Sequence, residues 1–93
     1  MVKSAKHRKQ LHTVLEELHL YKEKHGCADC RNRFPHYVLE FDHRPEHQKI
    51  DVVYRVLRNY GADAAWKEVA KCDVVCANCH KIRTYQREQE YES

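Results

Sequence analysis

Two Cys-x-x-Cys pairs, Cys27-Ala-Asp-Cys30 and Cys76-Ala-Asn-Cys79, limit what this chain can fold into more than any other feature. Thiols at that spacing can turn two sulfurs inward toward one tetrahedral ion, so two such pairs ask for one shared zinc site of four thiolates. A chain of 93 residues needs such a staple, because an apolar core of this size leaves little margin. Five cysteines, an odd number, with no apolar signal run after the basic start, argue against a disulfide framework. A redox dithiol would need a strand, turn and helix in that order, whereas a helical pattern precedes Cys27. Zinc on four thiolates contributes roughly 10 to 16 kcal/mol of apparent free energy in small peptides, enough to stand in for the missing core. Cys72 is left over and reads as a small buried side chain.

His80 follows Cys79 directly, and that adjacency matters. Neighbouring side chains diverge by about 100° in a helix and about 180° in a strand, so His80 belongs to a different metal from the thiolates. Its partner must lie upstream, and Phe41-Asp42-His43 offers a carboxylate and a second imidazole. Cys76-Ala-Asn-Cys79-His80 also satisfies the C-x-x-C-H pattern of covalent haem attachment. That reading leaves Cys27 and Cys30 idle, lacks an export signal and offers no axial methionine beyond Met1, so no haem is expected.

Between these ligands the chain reads as one domain, 1–93, in three parts. Leu11, Val14, Leu15, Leu18 and Tyr21 recur at helical spacing, which predicts a helix from about Lys3 to Lys24, stopped by Gly26, within segment 1–26. The core, 27–84, begins with the first cysteine pair. Tyr37-Val38-Leu39-Glu40-Phe41 alternates after Pro35 and predicts a strand ending in Asp42-His43, closed by Arg44-Pro45. Ile50, Val53, Tyr54, Val56 and Leu57 suggest a short helix closing near Asn59-Tyr60-Gly61. A second begins with Asp63 as N-cap and buries Trp66, Val69 and Ala70; neither carries evident chemistry. Asp73-Val74-Val75 reads as a second strand, and Ala77 onward through Ile82 and Tyr85 as a final helix, with 85–93 its end and an acidic tail. The fold class is therefore α+β: a two-stranded hairpin plus helix, stapled by zinc, with a long N-terminal helix and a helical insertion between the strands. In that arrangement Asp42 and His80 face each other.

Net charge is +3 with histidine neutral, a weak argument for a polyanion partner. Lys3, Lys6, Arg8 and Lys9 open the chain, and Glu88, Glu90 and Glu92 close it, so a local patch must carry any such claim. No window reaches membrane-spanning length, and a reducing, intracellular setting is expected.

Cys27-x-x-Cys30, Phe41-Asp42-His43 and Lys71-Cys72-Asp73-Val74-Val75-Cys76-Ala-Asn-Cys79-His80-x-x-Arg83-Thr84 together resemble the small phage-type HNH endonucleases of the ββα-metal, or His-Me finger, superfamily. The resemblance covers roughly Leu18 to Thr84. It implies a structural Zn2+ on Cys27, Cys30, Cys76 and Cys79, and one catalytic divalent cation (Mg2+, Mn2+, Ni2+ or Zn2+) on Asp42 and His80. His43 would be the general base, and DNA the substrate, cut to 5′-phosphate and 3′-hydroxyl ends. A virus-encoded origin also follows from the resemblance. The residue types suit the reaction, since imidazole can take a proton from water near cellular pH and a hard cation on few ligands keeps positions open for water and phosphate. Arg44, Lys49, Lys81, Arg83 and Arg87 are the candidate phosphate contacts, with Arg83 the expected clamp and the N-terminal basic cluster outermost.

Two positions depart from the family pattern. The middle Asn has no counterpart near the start of the second strand, where Lys71, Cys72 and Asp73 stand; Asp73 is the candidate substitute, and Asn78 reads as a turn residue within the knuckle. Thr84 occupies the place of a third ligand, and water is expected to complete the shell instead. A zinc-stabilised nucleic-acid-binding module without catalysis is the alternative, since it would keep the thiolates and the basic face but would not require Asp42-His43.

Overall fold

The computed structural model describes the backbone of residues 5–92 and the side chains of 11–90. The basic cluster Lys3, Lys6, Arg8 and Lys9, together with Glu92, lies outside the described side chains. In chain order the elements are helix α1 (Ala5–His25), a 3-10 turn (His36–Val38), strand β1 (Leu39–His43), helices α2 (Val53–Tyr60) and α3 (Ala62–Val69), strand β2 (Cys72–Cys76) and helix α4 (Ala77–Glu92). Among the described residues this is a small α+β fold of four helices and one antiparallel hairpin.

Helix α1 forms because its apolar residues fall on one stripe: Val14 and Leu18 are buried, with Leu11, Leu15 and Tyr21 packed beside them. It ends at Gly26, whose φ of +68° is left-handed and whose N–H donates to the Lys22 carbonyl at 2.9 Å. A Cβ at Gly26 would stand 3.0 Å from the Asn32 carbonyl oxygen, so this stop needs glycine twice over. The buried Lys22 then ties the helix to the hairpin, its ammonium donating to the Leu39 carbonyl at 3.0 Å.

In the hairpin Leu39 pairs with Cys76, Phe41 with Val74, Asp42 with Asp73 and His43 with Cys72. Strand alternation sends Glu40, Asp42 and Asp73 toward α4, and Leu39, Phe41 and His43 toward α1 and α3. One core cluster joins α1, α2 and α3 to Cys72; the other surrounds Cys27, Leu39, Val75, Cys76 and Cys79. The rings of Tyr21 and Phe41 pack against both and fuse them.

Several details differ from the sequence expectation. Tyr37 and Val38 belong to the 3-10 turn, so β1 starts only at Leu39, while it ends in Asp42-His43 as expected. Gly61, not Asp63, sits at the N-cap of α3, and Ala70 is exposed while Ala65 and Glu68 are buried. Ile50 is exposed and lies outside α2, and Asn78 is in the first turn of α4, not in a free turn. Helix α4 follows β2 directly and reaches β1 as far along as Arg87, while Ile82 and Tyr85 on it are exposed.

Candidate metal and catalytic site

Cys27 follows the end of α1, Cys30 closes a turn, Cys76 ends β2 and Cys79 lies in the first turn of α4. Their sulfurs all lie within 4.8 Å of one another, with Cys30 Sγ and Cys76 Sγ 4.0 Å apart. Sulfurs about 2.3 Å from one tetrahedral ion stand about 3.8 Å apart, so the spacing suits zinc. Each pair is folded alike: the Cys30 N–H points at Cys27 Sγ at 3.5 Å and the Cys79 N–H at Cys76 Sγ at 3.4 Å. The first knuckle also docks on β2 through the Ala28 N–H and the Val74 carbonyl, 2.8 Å apart. Burial opposes ionisation of Cys27, yet backbone N–H groups outweigh it and bring its thiol down to about 6. The neighbouring sulfurs, that of Cys76 first, push Cys79 up to about 12. Four thiols this close cannot all ionise unless a cation joins them, which is the chemistry of a tetrathiolate metal site. These four cysteines can hold a metal ion such as zinc. Cys72 stands apart, buried, its thiol donating to the Glu68 carbonyl at 3.4 Å and pushed up to about 11 by burial and then Glu68.

Across the hairpin from this clasp, His80 Nε2 lies 3.4 Å from Asp42 Oδ1. The other ring nitrogen, Nδ1, donates to Glu40 Oε1 at 2.6 Å, so the neutral ring turns the Nε2 lone pair toward Asp42. A lone pair facing a carboxylate oxygen is repulsive unless a proton or a cation stands between them. Two ligands side by side on a hard cation at about 2.1 Å are about 3 Å apart, and the separation of Asp42 and His80 is close to that, with Glu40 on the far nitrogen of the imidazole. The Thr84 hydroxyl donates to the His80 carbonyl at 3.1 Å and so turns away from that place.

Asp42 is also gripped by arginines. Arg87 meets both of its oxygens at 2.9 Å, and Arg83 Nη1 meets Oδ2 at 2.9 Å. Burial alone would raise the Asp42 carboxyl, but hydrogen bonds from Arg87 and then Arg83 hold it below its ordinary value. Arg83, the expected phosphate clamp, is enclosed by carboxylates: it donates to Asp29 at 2.6 and 2.7 Å and to Asp73 at 2.9 Å besides Asp42. Arg44 likewise faces inward, donating to the Cys72 carbonyl, the Ala70 carbonyl and Asp73. Through that last bond Asp73 fixes the residue that follows His43. Lys49 and Lys81 are exposed.

His43 turns the other way, to α3. Its Nε2 lies 2.8 Å from Glu68 Oε2, and Glu68 is 1% exposed. The same carboxylate accepts from Lys71 Nζ at 2.9 Å and the Ile50 N–H at 3.0 Å. The helical insertion therefore does carry a polar group aimed at the site, against the sequence expectation. Its signal was legible: Ala65, Glu68 and Val69 share one face of α3 at helical spacing, and a carboxylate on a buried stripe needs partners. Glu40 and Asp29, also unforeseen, show no such signal.

Asp42, His43, His80, Lys49 and Arg87 all line one open cleft of about 480 Å³ along the free edge of β1, walled on the far side by Tyr54, Val52 and Val53. Of the other described histidines, His19 stacks on His36 at 3.8 Å between ring centres, His25 Nδ1 donates to the Tyr21 carbonyl at 2.8 Å, and His12 meets Glu16. Among the described residues no helix is long and apolar enough to cross a membrane. What the fold and site define is a small α+β protein with a four-cysteine metal site beside an Asp-His-His cleft. No family model, no curated protein and no solved structure matches this chain.

Proposed function

We propose that this chain is a metal-dependent endonuclease of the HNH, ββα-metal type that hydrolyses phosphodiester bonds of DNA. The observation that carries the reading is the cleft in which Asp42 and His80, 3.4 Å apart, stand beside His43. Cys27, Cys30, Cys76 and Cys79 hold a structural zinc that fixes the relation of β1 to α4. Asp42 and His80 would hold one divalent cation, which when bound would supply positive charge to the phosphate and leaving oxygens and help activate water. His43 takes the proton of the attacking water. Glu40 keeps the ring of His80 in the tautomer a metal ligand requires.

The arginines have a double role in this reading. With a divalent cation held by Asp42, Arg87 and one arm of Arg83 would be free to donate to phosphate oxygens, with Lys49 and Lys81 as outer contacts and Arg44 a structural brace. Competition between guanidinium and metal ion for Asp42 then links ion binding to substrate binding.

The test is plasmid nicking with Mg2+, Mn2+ or Ni2+ by the zinc-loaded protein and by His43→Ala. Cleavage by the first and a loss of at least about 100-fold in the second is the expected result, the range of general-base contributions. Equal cleavage by both would remove His43 from the mechanism. Absence of cleavage with every ion, together with retained DNA binding, would leave a zinc-stabilised nucleic-acid-binding module.

A further inference from the structure

Glu68 is one of the largest fully buried side chains of the molecule and is nonetheless a carboxylate. An isolated ionised carboxylate is strongly disfavoured in such a place, so its partners determine its state. Burial would raise it, but hydrogen bonds from Lys71, the Ile50 N–H and His43 outweigh that and hold it below its ordinary value. Two of those partners are themselves anchored. The Ile50 N–H belongs to the backbone, and Lys71 Nζ donates at the same time to the Gln48 carbonyl at 3.0 Å. The carboxylate is thus fixed in plane before His43 meets it.

An ionised carboxylate only accepts hydrogen bonds. At 2.8 Å from Oε2, the Nε2 atom of His43 must therefore carry a hydrogen. A neutral imidazole has one protonated nitrogen, so its lone pair sits on Nδ1. His43 is itself nearly covered, its side chain 11% exposed, which leaves the ring little freedom to turn over.

We infer that Glu68 is the positioning residue of the general base: it holds His43 in the Nε2–H tautomer and makes Nδ1 the atom that receives the proton. The inference rests on the proposed hydrolysis. In that step the water oxygen forms the new bond to phosphorus, the bond from phosphorus to the 3′ oxygen breaks, the water proton goes to Nδ1, and the 3′ oxygen takes a proton from solvent. Glu68 exchanges no proton. It accepts from Nε2 throughout and stabilises the positive ring that forms when Nδ1 is protonated, as a buried carboxylate does for the base of a serine protease triad. A second consequence follows for the segment between the strands. Ile50, Glu68, Lys71 and the Gln48 carbonyl all belong to it, so the insertion supplies the base with its partner and the partner with its anchors.

The test has two arms. Long-range nitrogen–proton NMR on zinc-loaded, 15N-histidine-labelled protein, with His43 assigned by its absence from His43→Ala, reads the tautomer without any activity. A neutral ring protonated on Nε2 is expected in the wild type, and a mixture of tautomers in Glu68→Gln. An Nδ1–H ring in the wild type would overturn the inference, even in an active enzyme, and needs no variant to be seen. The kinetic arm compares Glu68→Gln with wild type at matched zinc content and helicity. We expect kcat to fall at least about 100-fold with KM for DNA changed less than about threefold, since a wrong tautomer disables chemistry and not binding. Unchanged kcat in that variant would also overturn it. If the wild type cleaves nothing while its ring is Nε2–H and becomes mixed in Glu68→Gln, the positioning role stands and the nuclease reading falls.

Discussion

Two imidazole–carboxylate pairs flank the cleft, and by distance they are near twins: His43 to Glu68 at 2.8 Å, His80 to Glu40 at 2.6 Å. Burial separates them. Glu68 is 1% exposed and tethered by Lys71 and the Ile50 N–H, whereas the Glu40 side chain is 49% exposed. Water and salt weaken an exposed pair and leave its members free to exchange partners, while breaking a buried one strands a charge. The difference teaches that the His43 side of the cleft is built into the core, while the His80 side, open to water, is the one free to adjust. Asp42 lies on that second side, held by Arg83 and Arg87.

Zinc removal should break the comparison altogether. The His80–Glu40 pair joins α4 to β1 and the His43–Glu68 pair joins β1 to α3, and the four cysteines help tie β2 and α4 to the end of α1. Chelation, or Cys76→Ser, is expected to lower stability by an amount approaching the roughly 10 kcal/mol that such zinc sites supply. Circular dichroism melts alongside zinc content measure it, and an unchanged Tm in metal-free protein would show that the clasp is not what holds the hairpin.

Removing the two carboxylates one at a time sharpens the comparison. Glu68→Ala is expected to cost about 3 to 5 kcal/mol, the range for a broken buried pair, and Glu40→Ala less than about 1 kcal/mol. Urea unfolding reads both. Similar losses would mean that burial does not rank them.

Acid should reach the buried side in a defined window. The folded Glu68 carboxyl is held below its ordinary value of 4.5, so its contribution is complete above that pH and lost as pH falls through it toward the lower folded value. Asp42 behaves the same way around its ordinary value of 3.8. Glu68→Gln should therefore show a shallower loss of stability than wild type below about pH 4.5. The difference between the two proteins is the quantity to read, since zinc release at low pH is common to both. Equal slopes would show that the buried carboxylate titrates alike in folded and unfolded chains.

The smallest effect belongs to the adjustable side. Arg87→Ala leaves Asp42 with one guanidinium, and Ni2+ affinity at the cleft should rise about fivefold, the equivalent of a partly exposed ion pair of about 1 kcal/mol. Isothermal titration on zinc-loaded protein reads it. An unchanged or weakened affinity would mean that Arg87 does not compete with the cation.

Legibility from sequence followed the range of the interaction. Periodicity and ligand spacing gave the four helices, the strand pair and the meeting of Cys27, Cys30, Cys76 and Cys79, because each is local or is forced by one shared ion. Alternation along β1 also gave the opposite facing of Asp42 and His43. What escaped were contacts between elements. Arg83 looks like a free cation on a helix, and only the fold shows Asp29, Asp42 and Asp73 converging on it from a knuckle and two strands. The missing middle Asn had suggested Asp73 as its substitute; Asp73 braces Arg44, while the group that touches His43 comes from α3. Helix α4 runs through Ile82 and Tyr85 as expected, but helical spacing alone does not say that both side chains stay exposed.

The stretch between Arg44 and Lys71 looks like a spacer that could be shortened or swapped without harm. Anyone transplanting the hairpin and its following helix onto another scaffold would carry across every residue of the recognisable signature and still leave behind the carboxylate that meets His43. A trimmed version of this protein would also lose Val53, Leu57, Ala65 and Val69, the apolar residues on which α1 packs, a cost its own signature residues would not reveal.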